Sequence, residues 1–294
     1  MLRMQNPALI DYLQLMRAPA VFTAFSNILA AHLIATQGSI VWSSLLFLLG
    51  ATAGLYLGGM VLNDWFDYRH DLASRPNRPL PAGRIPCRNA MILGIGLLLT
   101  GLGLATLVGF QSMLVAMLIV LLVLIYDGWS KDSLLGSLNM AACRYFNWLL
   151  GFSILPITGE HLIIASPVFI YVTALTLLSR EEEAAQHRWI LMLAASGIGA
   201  AILCVPILTP KAILQNPWPA ILASGLFITL IRQFYVSYRE FTPQQIQATL
   251  KLLIFGIIPL DALLVLGFGP WWGALAVLSL LPPGRLLARF MYVT

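Results

Sequence analysis

Leu62-Asn63-Asp64-Trp65-Phe66-Asp67-Tyr68-Arg69-His70-Asp71 closes a long apolar run, and Arg75-Pro76-Asn77-Arg78-Pro79-Leu80-Pro81-Ala82-Gly83 follows it in polar sequence. A helix carried through Asp71 stacks Asp64, Asp67 and Asp71 on one face at i, i+3 and i+7, with Asn63 on the same surface. Three carboxylates on one face with no Lys or Arg among them repel one another and call for compensation. A hard divalent cation supplies it, since Mg²⁺ is held by a few carboxylates together with waters and phosphate oxygens. Arg75 and Arg78 then offer cationic donors to the phosphates themselves. A solvated helix end would explain any one of these residues alone. Their combination at the end of an apolar run reads as a Mg²⁺–diphosphate site at a membrane surface.

The rest of the chain supplies the membrane. It is 59% hydrophobic and 10% charged, against about a quarter charged in ordinary soluble domains. Apolar stretches long enough to cross a bilayer recur along nearly its whole length, which makes it an all-α polytopic membrane protein. The net charge of +5 therefore speaks to orientation rather than to nucleic acid. No cleavable signal segment is expected ahead of the first apolar run. Cys87, Cys143 and Cys204 are scattered without a close pair and read as small apolar fillers rather than a disulfide or metal framework.

The first twenty residues contain an interfacial helix around Tyr12, Leu13, Leu15 and Met16. Spans are expected at 18–37, 41–62, 89–110, 112–126, 134–157, 162–178, 189–208, 218–234 and 250–267. The last apolar piece, 270–281, is short for a crossing, so a tenth span stays open, either re-entrant or completed by the tail to Phe290. With this layout Arg3, Arg17, Arg69, Arg75, Arg78, Arg84, Arg88, Lys131, Arg180, Arg188 and Arg239 all fall on one side, with Arg232 and Lys251 near it. The opposite connections hold only Lys211. The positive-inside rule puts the amino terminus and the polar connections in the cytoplasm, as in a bacterial inner (plasma) membrane. Arg285 and Arg289 join them only if the last piece crosses.

The chemistry-bearing residues collect on that basic side. Pro76, Pro79, Pro81 and Pro86 prevent a continuous helix after the aspartates, and Gly83 permits a sharp turn, so this loop should fold back over the carboxylates. Tyr126-Asp127-Gly128-Trp129-Ser130-Lys131-Asp132 forms a second connection and Ser179-Arg180-Glu181-Glu182-Glu183 a third. In a pseudo-symmetric fold the glutamates would face the aspartates across a shared cavity; alone they would be a solvated acidic run. Arg144, with Asn139 and Asn147, lies deep in the fifth span and points to a polar cavity or an acidic partner, for which Asp127 or a diphosphate is a candidate. Asp261, in the ninth span, should pair with a basic group or line the same cavity. His32 and Asn27 read as helix–helix hydrogen bonds.

These residues are familiar as a set. Asn63, Asp64, Asp67 and Asp71 resemble the NDxxDxxxD motif of the UbiA superfamily of intramembrane prenyltransferases, and Arg75, Arg78, Pro79, Leu80 and Gly83 resemble the RxxRPLxxG that follows it. Residues 136–151 and Leu177-Leu178-Ser179-Arg180 are similar more particularly to its EboC-like branch. The resemblance covers essentially the whole chain, 1–294, as a single UbiA-like domain. It implies about nine transmembrane helices around a central cavity, Mg²⁺ as cofactor, an isoprenoid diphosphate as donor and a membrane-soluble acceptor, aromatic or lipid-like. On that resemblance Asp64, Asp67 and Asp71 would be metal ligands and, with Lys131, the catalytic set. Asn63, Arg75, Arg78, Tyr126, Arg144, Asn147 and Glu182 would bind substrate, and Tyr126 and Tyr145 would offer ring faces to an allylic cation. The family carries a second aspartate motif where this chain has Glu181-Glu182-Glu183. That departure keeps an alternative beside Mg-dependent prenyl transfer: a UbiA-like protein that binds or carries a prenyl lipid or metabolite without turnover. A transporter subunit, suggested only by Arg144 and Asp261, ranks behind both.

Overall fold

The computed structural model of the protein describes residues 7–131, 133–209 and 217–291. Arg3, Asp132, Lys211 and Asn216 lie outside the described residues. Within them the chain is helical: α1 (Pro7–Leu15), α2 (Val21–Ala35), α3 (Trp42–Phe66), α4 (Tyr68–Ser74), α5 (Cys87–Val108), α6 (Phe110–Ile125), α7 (Leu134–Phe152), α8 (Gly159–Ser179), α9 (Arg188–Leu208), α10 (Trp218–Arg239), α11 (Pro243–Phe268), α12 (Trp271–Leu278) and α13 (Leu281–Leu287). Among the described residues, eight helical segments are long and apolar enough to cross a membrane. A ninth long helix, α7, carries Arg144, Asn139 and Asn147 and has 19 residues. The expected start of the last long span at Leu250 is corrected to Pro243, because Thr242 caps the helix by accepting from the Gln245 amide and Pro243 suits a first turn.

Successive helices pack side by side, α3 on α5, α5 on α6, α6 on α7, and so on to α11, while α2 and α11 close the ring on each other. α2 also touches α3, α7 and α12. It is buried on most of its surface, its polar Thr23, Ser26, Asn27 and His32 included, as a helix inside a bundle must be. By contrast α5, α6 and α10 keep most of their surface outward, which suits contact with lipid.

Two features position the site. First, α3 and α5 approach backbone to backbone: a methyl group added at Gly54 would lie 2.6 Å from the Leu97 carbonyl oxygen and 2.8 Å from the Gly101 nitrogen. Small residues permit this approach, and it fixes the end of α3 where the aspartates begin. Second, the proline-bearing loop is anchored rather than loose. Leu80 and Ile85 are buried with Leu15, Val61 and Ala90, and Arg84 Nε reaches Asp11 Oδ1 of α1 at 2.9 Å.

The last apolar piece makes its passage in two short helices. Pro270 lies against Gly38, beyond the C-terminal end of α2, and Gly284 lies against Pro19, before its N-terminal end. Thus α12 and α13 together run the length of α2 and return the chain to the side where α2 begins. A break at Ser279-Leu280 separates them.

Candidate active site

A cavity of about 490 Å³ runs up the middle of the ring, walled by α2, α3, α6, α7, α8 and α11. Leu55, Ile119, Val123, Val172, Leu175, Ile254 and Ile257 make one part apolar, whereas Arg17, Asn63, Arg75, Arg78, Asp127, Lys131 and Glu182 crowd the other. A polar vestibule lined by Asp64, Ser74, Glu183, Gln247 and Lys251 shares Arg17, Arg75, Arg78 and Glu182 with it. The contrast is that of a site for an amphiphile with an anionic head.

The aspartates are built as the sequence implies, with one interruption. α3 stops at Phe66 and α4 starts at Tyr68, but the backbone bonds Asp67 N to Asn63 O at 3.0 Å and Asp71 N to Asp67 O at 2.9 Å keep the helical path. Asn63, Asp64 and Asp71 are buried, and Asp67 is half-buried. Each carboxylate holds a basic side chain. Asp64 Oδ1 accepts from Arg17 Nη2 at 3.2 Å and Arg78 Nη1 at 3.5 Å, and Asp71 Oδ2 accepts from Arg78 Nη1 at 2.7 Å. Lys131 Nζ donates to Asn63 Oδ1 at 3.0 Å and pairs with Asp67. Among the described residues, no three His, Cys, Asp or Glu side chains form a compact group, and Arg17, Arg78 and Lys131 stand against the three aspartates.

The donor chemistry nonetheless suits a hard cation. Asp127 lines the cavity with Asn63, Arg78 and Lys131, and its buried Oδ2 has no hydrogen-bond partner among the described residues. It is placed by a widened helical turn, Tyr126–Ser130, that ends α6 and carries Tyr126, Asp127 and then Lys131 to the cavity. All-oxygen carboxylate donors with an unspent buried oxygen among them match what Mg²⁺ takes.

The third connection separates its glutamates. Glu182 lines the cavity, and Glu183 Oε1 meets Arg75 Nη2 at 2.7 Å, so the connection does face the aspartates. Glu181 is turned inward: Oε2 accepts the Gln186 and His187 amides at 2.6 and 2.8 Å, and Oε1 lies 3.0 Å from His187 Nδ1. Removal from water works against its charge, but the His187 and Gln186 donors prevail and hold this carboxyl below the usual glutamate range.

Deeper in the cavity, Arg144 does not meet Asp127. Its Nη2 donates to Thr23 Oγ1 at 2.9 Å, Nη1 lies 3.4 Å from Asn27 Oδ1, and the guanidinium sits 5.0 Å from the centre of the Tyr56 ring. Asn147 Nδ2 donates to Ala24 O at 3.1 Å, and its Oδ1 accepts from Thr52 at 2.6 Å. Asp261 is fully buried away from the cavity lining. It accepts from Ser26 Oγ at 2.5 Å, Asn27 Nδ2 at 2.8 Å and Trp148 Nε1 at 3.1 Å. Asn27 thus bonds between helices as expected, and His32 Nε2 accepts the Val41 amide at 3.3 Å.

Of the residues singled out from the sequence, Asn63, Arg75, Arg78, Tyr126, Lys131, Arg144, Asn147 and Glu182 line the cavity. Asp64 lines the vestibule, and Asp67 and Asp71 are tied to it through Lys131 and Arg78. Tyr145 is not brought in: its hydroxyl donates to Leu162 O at 3.1 Å and its ring packs on Phe146 and Phe169. Sequence reading overlooked Arg17 and Tyr56. Arg17 occupies left-handed backbone space, φ 46° and ψ 45°, a strained conformation of the kind that gathers at functional sites. Its local signal was only an arginine ahead of Pro19 at the start of the first span. Tyr56 lies seven residues before Asn63, the spacing of two helical turns on the same face.

Comparison with known proteins agrees with this architecture. Over 131 residues the chain is 32% identical to the digeranylgeranylglyceryl phosphate synthase of Sulfurisphaera tokodaii, covering 44% of this chain and 47% of that one. Over 157 residues it is 29% identical to the synthase of the same name from Methanococcoides burtonii, covering 50% and 56%. The chain thus spans about half the length of these curated relatives. In fold it is similar to an apo UbiA homolog from Aeropyrum pernix K1, with a TM-score of 0.69 at 15% identity over 83% of this chain and 96% of that one. It is also similar to a UbiA homolog from Archaeoglobus fulgidus bound to DMAPP and Mg²⁺, with a TM-score of 0.63 at 14% identity over 92% and 99%. The model of the UbiA prenyltransferase family matches residues 24–255, and this multi-pass membrane protein belongs to that family.

Proposed function

We propose that the protein transfers a prenyl group from an isoprenoid diphosphate to an acceptor held within the membrane. One observation carries the reading: a single cavity joins a cluster of Arg17, Asn63, Arg75, Arg78, Asp127 and Lys131 to an apolar wall. The cluster suits the diphosphate and the wall suits the prenyl chain. Arg75, Arg78 and Lys131 would donate to the phosphate oxygens, exchanging their present carboxylate partners for them. Asp64, Asp67 and Asp127 would hold Mg²⁺, with Asp71 keeping Arg78 in place and Asn63 steadying Lys131. Bound Mg²⁺ would supply Lewis-acid neutralisation of the charge that builds on the departing diphosphate. Tyr126, between the polar cluster and the apolar wall, would turn its ring face to the allylic cation, while the surrounding Val and Ile side chains keep water from it. The Archaeoglobus fulgidus homolog bound to DMAPP and Mg²⁺, and again to GPP and Mg²⁺, supports the donor class and the metal.

The finer placement in an EboC-like branch rests on residues 136–151 and Leu177-Leu178-Ser179-Arg180. The membrane is read as a bacterial inner membrane with the basic face, and hence the polar end of the cavity, in the cytoplasm. The acceptor is aromatic or lipid-like. A second reading, binding or carriage without turnover, has a specific observation in its favour: Glu181 is spent on the Gln186 and His187 amides and Glu183 on Arg75, leaving Glu182 at the cavity.

Pyrophosphate release by purified protein in detergent decides between them. Prenyl diphosphates of several lengths are supplied with and without Mg²⁺, together with a membrane-lipid extract as acceptor source. Mg²⁺-dependent release that Asp67→Asn abolishes establishes a transferase. Mg²⁺-dependent binding with no release leaves the carrier.

A further inference from the structure

We propose that the outer wall of the ring binds an anionic phospholipid of the surrounding bilayer, with an acyl chain in an apolar cleft between α10, α11 and α13 and the phosphate at Arg285 and Arg289. The site is separate from the central cavity and does not depend on the transferase reading.

The cleft, about 160 Å³, lies across α11 from the central cavity. Leu250, Ile254 and Ile257 of that helix line the cavity, whereas Leu252, Phe255, Gly256 and Pro259 line the cleft. Tyr171 seats its hydroxyl against Gly256, where any side chain would collide with it, and donates to the Leu253 carbonyl at 2.8 Å. Thr229 donates to the Gly225 carbonyl at 2.8 Å. Both hydroxyl protons of the lining are thus spent on backbone, and the rest of it is apolar apart from one charge, Arg285. Such a lining gives a hydrocarbon chain apolar contact and a polar ligand no free hydroxyl donor.

The charged end is placed by α13. Gly284 packs against Pro19 and Phe22 at the start of α2, which sets Arg285 at the membrane boundary on the side where α2 begins. Helical bonding continues past α13, with Ala288 N to Gly284 O at 3.0 Å, and puts Arg289 one turn beyond Arg285 on the same face. Arg17, Arg75, Arg78, Arg84 and Lys131 at that end each hold a carboxylate. Arg285 and Arg289 are exposed, and among the described residues neither makes an ion pair or a hydrogen bond. Leu286 and Phe290 beside them are exposed as well, the pattern of a segment that lies at a lipid interface.

Thr229 is exposed on α10, a helix with most of its surface outward, so the cleft opens toward lipid rather than into the bundle. Two guanidinium groups without a counter-charge, at the rim of an apolar cleft that faces the bilayer, match an anion that brings its own hydrocarbon. A lipid phosphate accepts charge-assisted bonds from arginine, and basic pockets between spanning helices take such head groups. Free phosphate would leave the cleft unfilled, and a neutral lipid would leave the charges unmatched.

Native mass spectrometry of the intact protein in detergent tests this by counting bound lipid. The probes are phosphatidylglycerol and phosphatidylcholine with the same acyl chains. Wild type is expected to bind the anionic lipid about tenfold more tightly, the order that two basic side chains give at a head group. Arg285→Gln combined with Arg289→Gln should abolish the preference. Arg88→Gln, which removes an exposed arginine at the start of α5, should keep it. Thr229→Trp fills the cleft from its exposed rim and should weaken both lipids alike. Equal binding of the two lipids by wild type overturns the proposal whether or not the variants fold. A preference that survives loss of both arginines overturns it too, as does full binding by Thr229→Trp. A dimer that sheds lipid as it forms would make a second copy of the chain the occupant and overturn it as well.

Discussion

Arg75 Nη2 and Glu183 Oε1 meet at 2.7 Å, tying the loop after α4 to the connection between α8 and α9 at the polar end of the cavity. The two residues are 108 positions apart in sequence (183 minus 75). The pair is well exposed, so its contribution to stability is small; its consequence is positional. It keeps Arg75 at the cavity while leaving it able to exchange Glu183 for a phosphate.

The neighbouring glutamates should therefore respond differently. Glu183→Gln is expected to leave stability within about 1 kcal/mol of wild type and prenyl diphosphate affinity little changed. Glu182→Gln should weaken Mg²⁺-dependent prenyl diphosphate binding without unfolding the protein. Titrations of both variants with geranyl diphosphate check this, and equal losses would dismiss the separate roles.

Lys131 lies between Asn63 and Asp67 and borders the cavity. Its replacement by Met keeps the apolar stem and removes the charge. If the ammonium stabilises charge on the leaving diphosphate, turnover should fall on the order of 10²–10³-fold with a smaller change in binding. A loss confined to binding would make Lys131 a ground-state contact.

Glu181 gives the α8–α9 connection a pH dependence. Its carboxyl is held below the usual range by the Gln186 and His187 donors, so the folded connection binds fewer protons than the unfolded one. The stabilisation is complete above the ordinary glutamate pKa, about 4.3, and is lost as pH falls through the depressed value. Protection of the Gln186 and His187 amides from hydrogen exchange, measured against the intrinsic rate at each pH, should be high at neutral pH and fall in acid, whereas Glu181→Gln should show low protection throughout.

Gly54→Leu should disrupt the α3–α5 contact, since even a methyl there lies 2.6 Å from the Leu97 carbonyl oxygen. Overpacking of this kind costs about 1–3 kcal/mol or more. Thermal unfolding in detergent should shift down by several degrees, and Gly103→Leu, with open space around it, is the control expected to shift little.

Asp261→Leu should destabilise more than its apolar size suggests. It leaves the Asn27 and Trp148 donors buried without that acceptor, while Ser26 can still donate to the Thr23 carbonyl, and each such loss costs about 1–3 kcal/mol. A melting temperature equal to wild type would show that these groups repartner.

The sequence alone determined the membrane architecture and which polar side chains gather at one end of the cavity. Apolar run lengths placed the spans because backbone groups in lipid must bond within a helix. The spacing of Asp64, Asp67 and Asp71 placed them together because that register is local. Tertiary structure decided everything that depends on which distant side chain arrives. It paired Arg17 with Asp64, turned Glu181 away from the cavity while leaving Glu182 in it, and gave Arg144 the neutral company of Thr23, Asn27 and Tyr56 in place of Asp127. It also made the last apolar piece return along α2 as two short helices, since Gly38 and Gly284 let Pro270 and Pro19 close against them. Periodicity reports the face a residue occupies on its own helix; the residue opposite is set by how the helices pack.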